Sequence, residues 1–134
     1  SAKARDSRWV HRPSADWARY SRRHDESTLE GQLYTRLERL LRIRLDTPAF
    51  AGGATEFIRS GSDQVLGFTR QAGAQRVLVL ANFSEAPQEI DGIDLRFYGP
   101  SYGFTDLVSG TQVSSTQPIK LDAYQFVWLA AEQA

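Results

Sequence analysis

The 134 residues contain no cysteine and only two histidines, His11 and His24. That removes disulfides, thiolate metal sites and a cysteine nucleophile, and leaves carboxylates, guanidinium groups and hydroxyls to do any chemistry. Catalysis by a carboxyl pair needs two acids about 5 Å apart. Asp25 and Glu26 are the closest pair in the first half. Neighbours in sequence diverge in direction, and these two precede a helix start, where acids are favoured by the helix dipole. Asp91 and Asp94 flank Gly92 and read as turn residues. With few convergent carboxylates, His11 and His24 do not make a metal site, and no cofactor is implied. Arg36, Arg39, Arg42 and Arg44 fall at spacings typical of a charged helix face rather than an anion site.

These side chains need elements to hold them. Hydrophobic residues at 41% and charged residues at 24% mark a globular chain. Its length allows roughly two thirds of the unfolded surface to be buried. The charge is uneven: residues 1–50 hold eleven basic and seven acidic side chains, and residues 51–134 hold five and nine. The basic residues are interspersed, with no run longer than Arg22-Arg23, which argues against a nucleic-acid partner. No apolar run approaches the ~20 residues of a bilayer span, and the first residues lack a signal-peptide core, so a cytoplasmic setting is expected.

Residues 1–26 carry Trp9, Trp17 and Tyr20 among six arginines, with one short helix expected from Asp16 to Arg23. Aromatics in an arm without its own core need another surface to cover them. Ser27 and Glu30 have capping-box spacing. Leu29, Leu33, Leu37, Leu40 and Leu41 then repeat at helical period, a stripe wide enough to demand an apolar partner. Pro48 biases Thr47 out of the helical region and ends this helix. After Gly52-Gly53 the pattern becomes strand-like, at 55–59, 64–70, 76–83, 88–90, 104–107, 118–121 and 124–130. The run Val77-Leu78-Val79-Leu80-Ala81 suits a strand covered on both faces, and Trp128 is expected in the core. Short strands separated by turn signals predict an antiparallel sandwich.

Asn82-Phe83-Ser84, Asp106-Leu107-Val108-Ser109-Gly110 and a last strand holding Tyr124 resemble the C-terminal β-domain of the α-amylase superfamily. The front half is more specific. Asp6-Ser7-Arg8-Trp9-Val10-His11-Arg12-Pro13 resembles the loop after the eighth barrel strand of amylosucrases. The likeness continues through Arg23-His24-Asp25, Gly31-Gln32-Leu33-Tyr34, Arg44 and Pro48-Ala49-Phe50-Ala51-Gly52-Gly53. Asp122-Ala123-Tyr124 departs from it, since a proline usually precedes the tyrosine.

The resemblance implies an α+β fragment: residues 1–50 as the last loop and helix of a (β/α)8 barrel, and residues 51–134 as an antiparallel Greek-key β-sandwich. It implies a parent enzyme that cleaves sucrose with retention and passes glucose to an α-1,4-glucan, the fragment's partner being the upstream catalytic barrel. The catalytic aspartate and glutamate would lie upstream of Ser1, so this chain alone is expected to be inactive. Arg8 is the one substrate-binding residue carried over, at the closed end of the pocket. His11 lies beside it. Trp9 and Trp17 read as packing against the barrel wall rather than as sugar platforms. Tyr98 and Tyr102, around Gly99-Pro100, could touch glucan or pack within their loop. A sucrose hydrolase of the same layout, a free-standing carbohydrate-binding module and a purely structural β-domain remain open alternatives.

Overall fold

A computed structural model describes residues 14–95 and 103–131 of the chain, with the side chains of residues 93 and 94 outside that description. The chain divides into two compact units, one up to Arg39 and one from Leu40 onward.

In the first unit, Asp16 caps α1 (Trp17–Ser21) by accepting from the Arg19 amide at 2.9 Å. A 3₁₀ turn follows at Arg22–His24. Trp17 and Tyr20 stack edge to face at 5.9 Å, and both rings are exposed. The long helix α2 (Leu29–Asp46) begins two residues later than Ser27. Its cap is Thr28, whose hydroxyl accepts from the Gly31 amide at 3.1 Å. Ser27 instead donates its amide and hydroxyl to the Asp25 carboxylate, at 3.0 and 2.6 Å. Glu30 does not complete a capping box with Ser27. It lies 3.4 Å from Arg22 and 3.6 Å from Arg19. A side chain at position 31 would run into the Asp25 carbonyl, so glycine allows the close approach there. The leucine stripe forms as expected. Leu29, Leu33, Leu37 and Leu41 are all exposed, and Gly31 is the only buried residue of the helix.

Thr47 takes an extended backbone ahead of Pro48, and α3 (Pro48–Ala51) forms a single helical turn. The Ala49 amide donates to the Gln75 side-chain carbonyl at 2.9 Å, which pins this turn to the sheet. Among the described residues eight strands follow: β1 (Ala54–Ile58), β2 (Val65–Ala72), β3 (Gln75–Asn82), β4 (Gln88–Ile90), β5 (Gly103–Asp106), β6 (Gln112–Ser114), β7 (Ile119–Leu121) and β8 (Phe126–Ala131). A one-turn helix, α4, occupies Gly92–Leu95 where the sequence suggested a turn. The large sheet runs β1-β2-β3-β8-β5-β6, and β4 pairs with β7 in a second, smaller sheet. Every pairing is antiparallel, and β8 inserts between β3 and β5. This is the antiparallel domain that the strand pattern predicted.

Alternation of side chains decides the layers. One face of the large sheet presents Ile58, Val65, Leu78, Leu80, Phe104, Val127 and Leu129. The small sheet and α4 seal it with Ile90, Ile119, Leu121 and Leu95. Gly67 sits within this layer, where an added methyl would lie 2.6 Å from Ile58 and 3.3 Å from Leu80. The opposite face carries Val77 and Val79, which pack with Ala49 from α3 and are flanked by Phe50, Phe68 and Trp128. The run at 77–81 is thus covered from both sides, as its continuous apolarity required. Trp128 differs from expectation: it lies half-buried on this second face, 4.8 Å from Phe50 and 5.9 Å from Phe126, and not in the sealed layer.

Candidate functional site

Arg8, Trp9 and His11 lie outside the described residues, as do Tyr98 and Tyr102. The described residues show what the other chemistry-bearing side chains do. Asp25 Oδ1 accepts both bonds from Ser27, side chain first in effect and backbone second. These bonds favour the ionised form and hold the Asp25 carboxyl below its ordinary value; a small desolvation cost opposes them, and Arg22 assists. Glu26 turns to the Thr35 hydroxyl at 3.3 Å. The pair therefore shapes the entry to α2 and does not act as two convergent acids. His24 stacks edge to face with Tyr34 at 5.8 Å, and Arg23 donates to the Tyr20 carbonyl. Among the described residues no group of three His, Cys, Asp or Glu side chains converges to hold a metal ion, and no helix is long and apolar enough to cross a membrane.

Two motifs singled out in the sequence hold turns together. Asp106 is almost fully buried, and its carboxylate accepts four hydrogen bonds. These come from the Val108, Ser109 and Trp128 amides and from the Ser109 hydroxyl, at 2.6–3.2 Å. One side chain thus fixes the β5–β6 turn and locks it to β8. Asn82 plays the same part at the other end of the sheet. Its amide nitrogen donates to the Ala86 and Asp122 carbonyls, and its oxygen accepts from the Ser84 amide and hydroxyl. Beside it Tyr124 adopts φ 57°, unusual for a residue with a side chain. Its amide donates to the Ser84 carbonyl, and its exposed ring reaches Glu85 at 3.5 Å.

The feature that sequence reading missed is on the second face of the large sheet. Phe57 is paired with Phe68, Phe68 with Val79, and Val79 with Trp128, so four strands contribute one row. Leu66, Ala81 and Phe126 form the next row. A groove over Phe68, Val79 and Trp128 of the first row is lined as well by Phe50, Arg44, Thr55 and Arg70. Arg70 bonds the Thr55 hydroxyl and the Gly52 carbonyl. The signal was present in sequence as adjacent apolar residues, Phe57-Ile58 and Val65-Leu66, which place one apolar side chain on each face. Among the described residues that line the groove there is no carboxylate, histidine or lysine, so it offers no acid–base pair.

The family model for the maltogenic amylase C-terminal domain matches residues 55–128, which takes in every strand but the outermost residues of β1 and β8. Solved structures share the fold at low identity. AmyP in complex with maltotriose aligns with a TM-score of 0.66 at 18% identity, over 78% of this chain and 21% of that one. An Anoxybacillus α-amylase aligns at 0.61 and 20% identity, over 77% and 23%. A MutB mutant in complex with sucrose aligns at 0.57 and 20% identity, over 72% and 17%. The chain therefore spans about a fifth of the length of the structures it matches.

Proposed function

From the premise that this chain belongs to the maltogenic amylase C-terminal domain family, we propose that it is the C-terminal part of a retaining, sucrose-cleaving glucosyltransferase that elongates an α-1,4-glucan and releases fructose. Residues 1–50 would complete the catalytic barrel, and residues 51–134 are the β-domain that follows it. The observation that carries the reading is the segment Asp6–Pro13, amylosucrase-like in sequence and placed directly ahead of a domain of this family. That a structural neighbour of this family fold, MutB, is described with sucrose as its substrate is in keeping with it.

In this reading the catalytic carboxylates belong to the upstream barrel, and Arg8 closes the pocket. A pocket for a terminal glucosyl unit must be blocked at one end. A planar guanidinium can hold a carboxylate with two parallel bonds and still donate to a sugar hydroxyl. Replacing it leaves a buried carboxylate unpaired, at a cost of about 3–5 kcal/mol. Arg8→Ala in the complete enzyme is therefore expected to cut fructose release from sucrose by roughly 10²–10³-fold or more. Turnover that is unchanged by the substitution defeats the assignment of Arg8. The reaction itself is tested by giving the complete enzyme sucrose with glycogen. Growth of the polymer supports transfer, release of glucose and fructose alone makes the enzyme a hydrolase, and no action on sucrose overturns the reading.

A further inference from the structure

Past the end of the β3–β8 ladder the two segments continue side by side. The Asn82 amide donates to the Gln125 carbonyl at 2.9 Å, and the Tyr124 amide to the Ser84 carbonyl at 3.2 Å. Counting on from the Ala81–Phe126 pair therefore brings Phe83 next to Tyr124. On its other side the Phe83 amide donates to the Gln64 carbonyl at 2.8 Å, so three segments meet here. Phe83 is 67% exposed and Tyr124 63%. Their neighbours in these segments, Asp63, Gln64, Glu85 and Asp122, are exposed as well. The backbone of Tyr124 lies in the left-handed region, at φ 57°. A side chain is disfavoured there, and glycine would take the angle freely. An exposed ring gains little from burial to offset that cost. Residues held in this way gather at ligand-binding sites.

We propose that Phe83 and Tyr124 form a binding site for an α-1,4-glucan chain. A pyranose has an apolar C–H face that lies against an aromatic ring, and a rim of hydroxyls that needs acceptors and donors beside it. Phe83 and Tyr124 offer the rings. The Asp63, Glu85 and Asp122 carboxylates, the Gln64 side-chain amide and the Tyr124 hydroxyl, 3.5 Å from Glu85, offer the partners. The carboxylates disfavour a phosphate or a nucleic acid and leave a neutral polyhydroxyl compound as the ligand. Two adjacent platforms suit a chain of linked sugars better than a single one. The choice of an α-1,4-glucan among saccharides rests on reading the parent as an enzyme that elongates one.

The test is isothermal titration of the complete enzyme with β-cyclodextrin. This ring of α-1,4-linked glucose has no chain end, so a pocket built for a terminal glucosyl unit does not admit it, while an open pair of aromatic rings does. The unaltered enzyme should bind it. Tyr124→Gly and Phe83→Ser should each weaken that binding about tenfold or more, a loss of ~1.4 kcal/mol. No binding by the unaltered enzyme, or binding that survives both substitutions, overturns the proposal. Tyr124→Gly should also unfold at or above the temperature of the unaltered enzyme, because glycine takes φ 57° without strain. A drop of several degrees overturns the proposal as well, since the ring is then packed against protein rather than open to a ligand. Sucrose turnover without added glucan is measured on the same samples and should be unchanged by either substitution. An enzyme that ignores sucrose yet binds cyclodextrin through Tyr124 loses the reading of its reaction and keeps this site. One that elongates glycogen but does not bind cyclodextrin loses this site alone.

Discussion

Two carboxylates of this chain illustrate opposite uses of the same group. Asp106 is buried and saturated with four donors, three of them backbone amides from two separate segments. Asp106→Ala strands those donors and should destabilise the β-domain by on the order of 3 kcal/mol, measurable as a lower denaturant midpoint with little change in slope. Asp25 is exposed, and the bonds by which it holds Ser27 depend on pH. Its carboxyl is held below 3.8 chiefly by the Ser27 hydroxyl. A lowered folded value means that the stabilisation is fully present above the ordinary value and fades as pH falls through the folded one. Ser27→Ala should therefore move the Asp25 titration, followed by carboxyl NMR, back up toward 3.8. A titration that does not move would show that the hydroxyl bond is not what favours the ionised form.

At the scale of elements, the start of α2 makes a sharp comparison. Thr28 accepts from the third helical amide, whereas Ser27 serves the preceding turn. Thr28→Ala should cost about 1 kcal/mol and reduce protection of the Gly31 amide from exchange, while Ser27→Ala should leave that amide protected. The sequence offered two hydroxyls in succession, and periodicity alone does not tell which one caps; the Asp25 side chain, which captures Ser27, decides it. Elsewhere the elements were legible to the degree that they bury apolar side chains at strand period. The strands at 76–83 and 124–130 appear within a residue or two, at Gln75–Asn82 and Phe126–Ala131. Strand β6 escaped notice because Gln112-Val113-Ser114 offers one apolar residue at a sheet edge, where backbone pairing rather than burial makes the strand. The one-turn helices α3 and α4 were hidden behind Pro48 and Gly92, residues that also mark turns. The two rows on the second sheet face needed register, which no single segment encodes: Phe57 and Trp128 lie 71 positions apart and meet only through β2 and β3.

At the scale of the whole molecule, the decisive property is apolar surface that the described residues leave exposed. Leu29, Leu33, Leu37 and Leu41 are each more than half exposed along one stripe of α2. A stripe of that regularity is the pattern of a helix facing a core. Leaving four leucines in water forgoes roughly 1.5–3 kcal/mol apiece relative to burial, which is of the same order as the total stability of a small domain. If the stripe belongs against a partner surface, the same substitution must act with opposite sign in two settings. Leu33→Ser with Leu37→Ser should make the 134-residue chain less prone to self-association, seen as a higher concentration before turbidity and weaker binding of an apolar dye. In the complete enzyme the pair should lower stability by about 2–5 kcal/mol per residue, because burial is lost and a cavity is left. A helix that simply faces solvent predicts no loss in the complete enzyme. The sign of the effect there separates a surface shaped for a partner from one that happens to be rich in leucine.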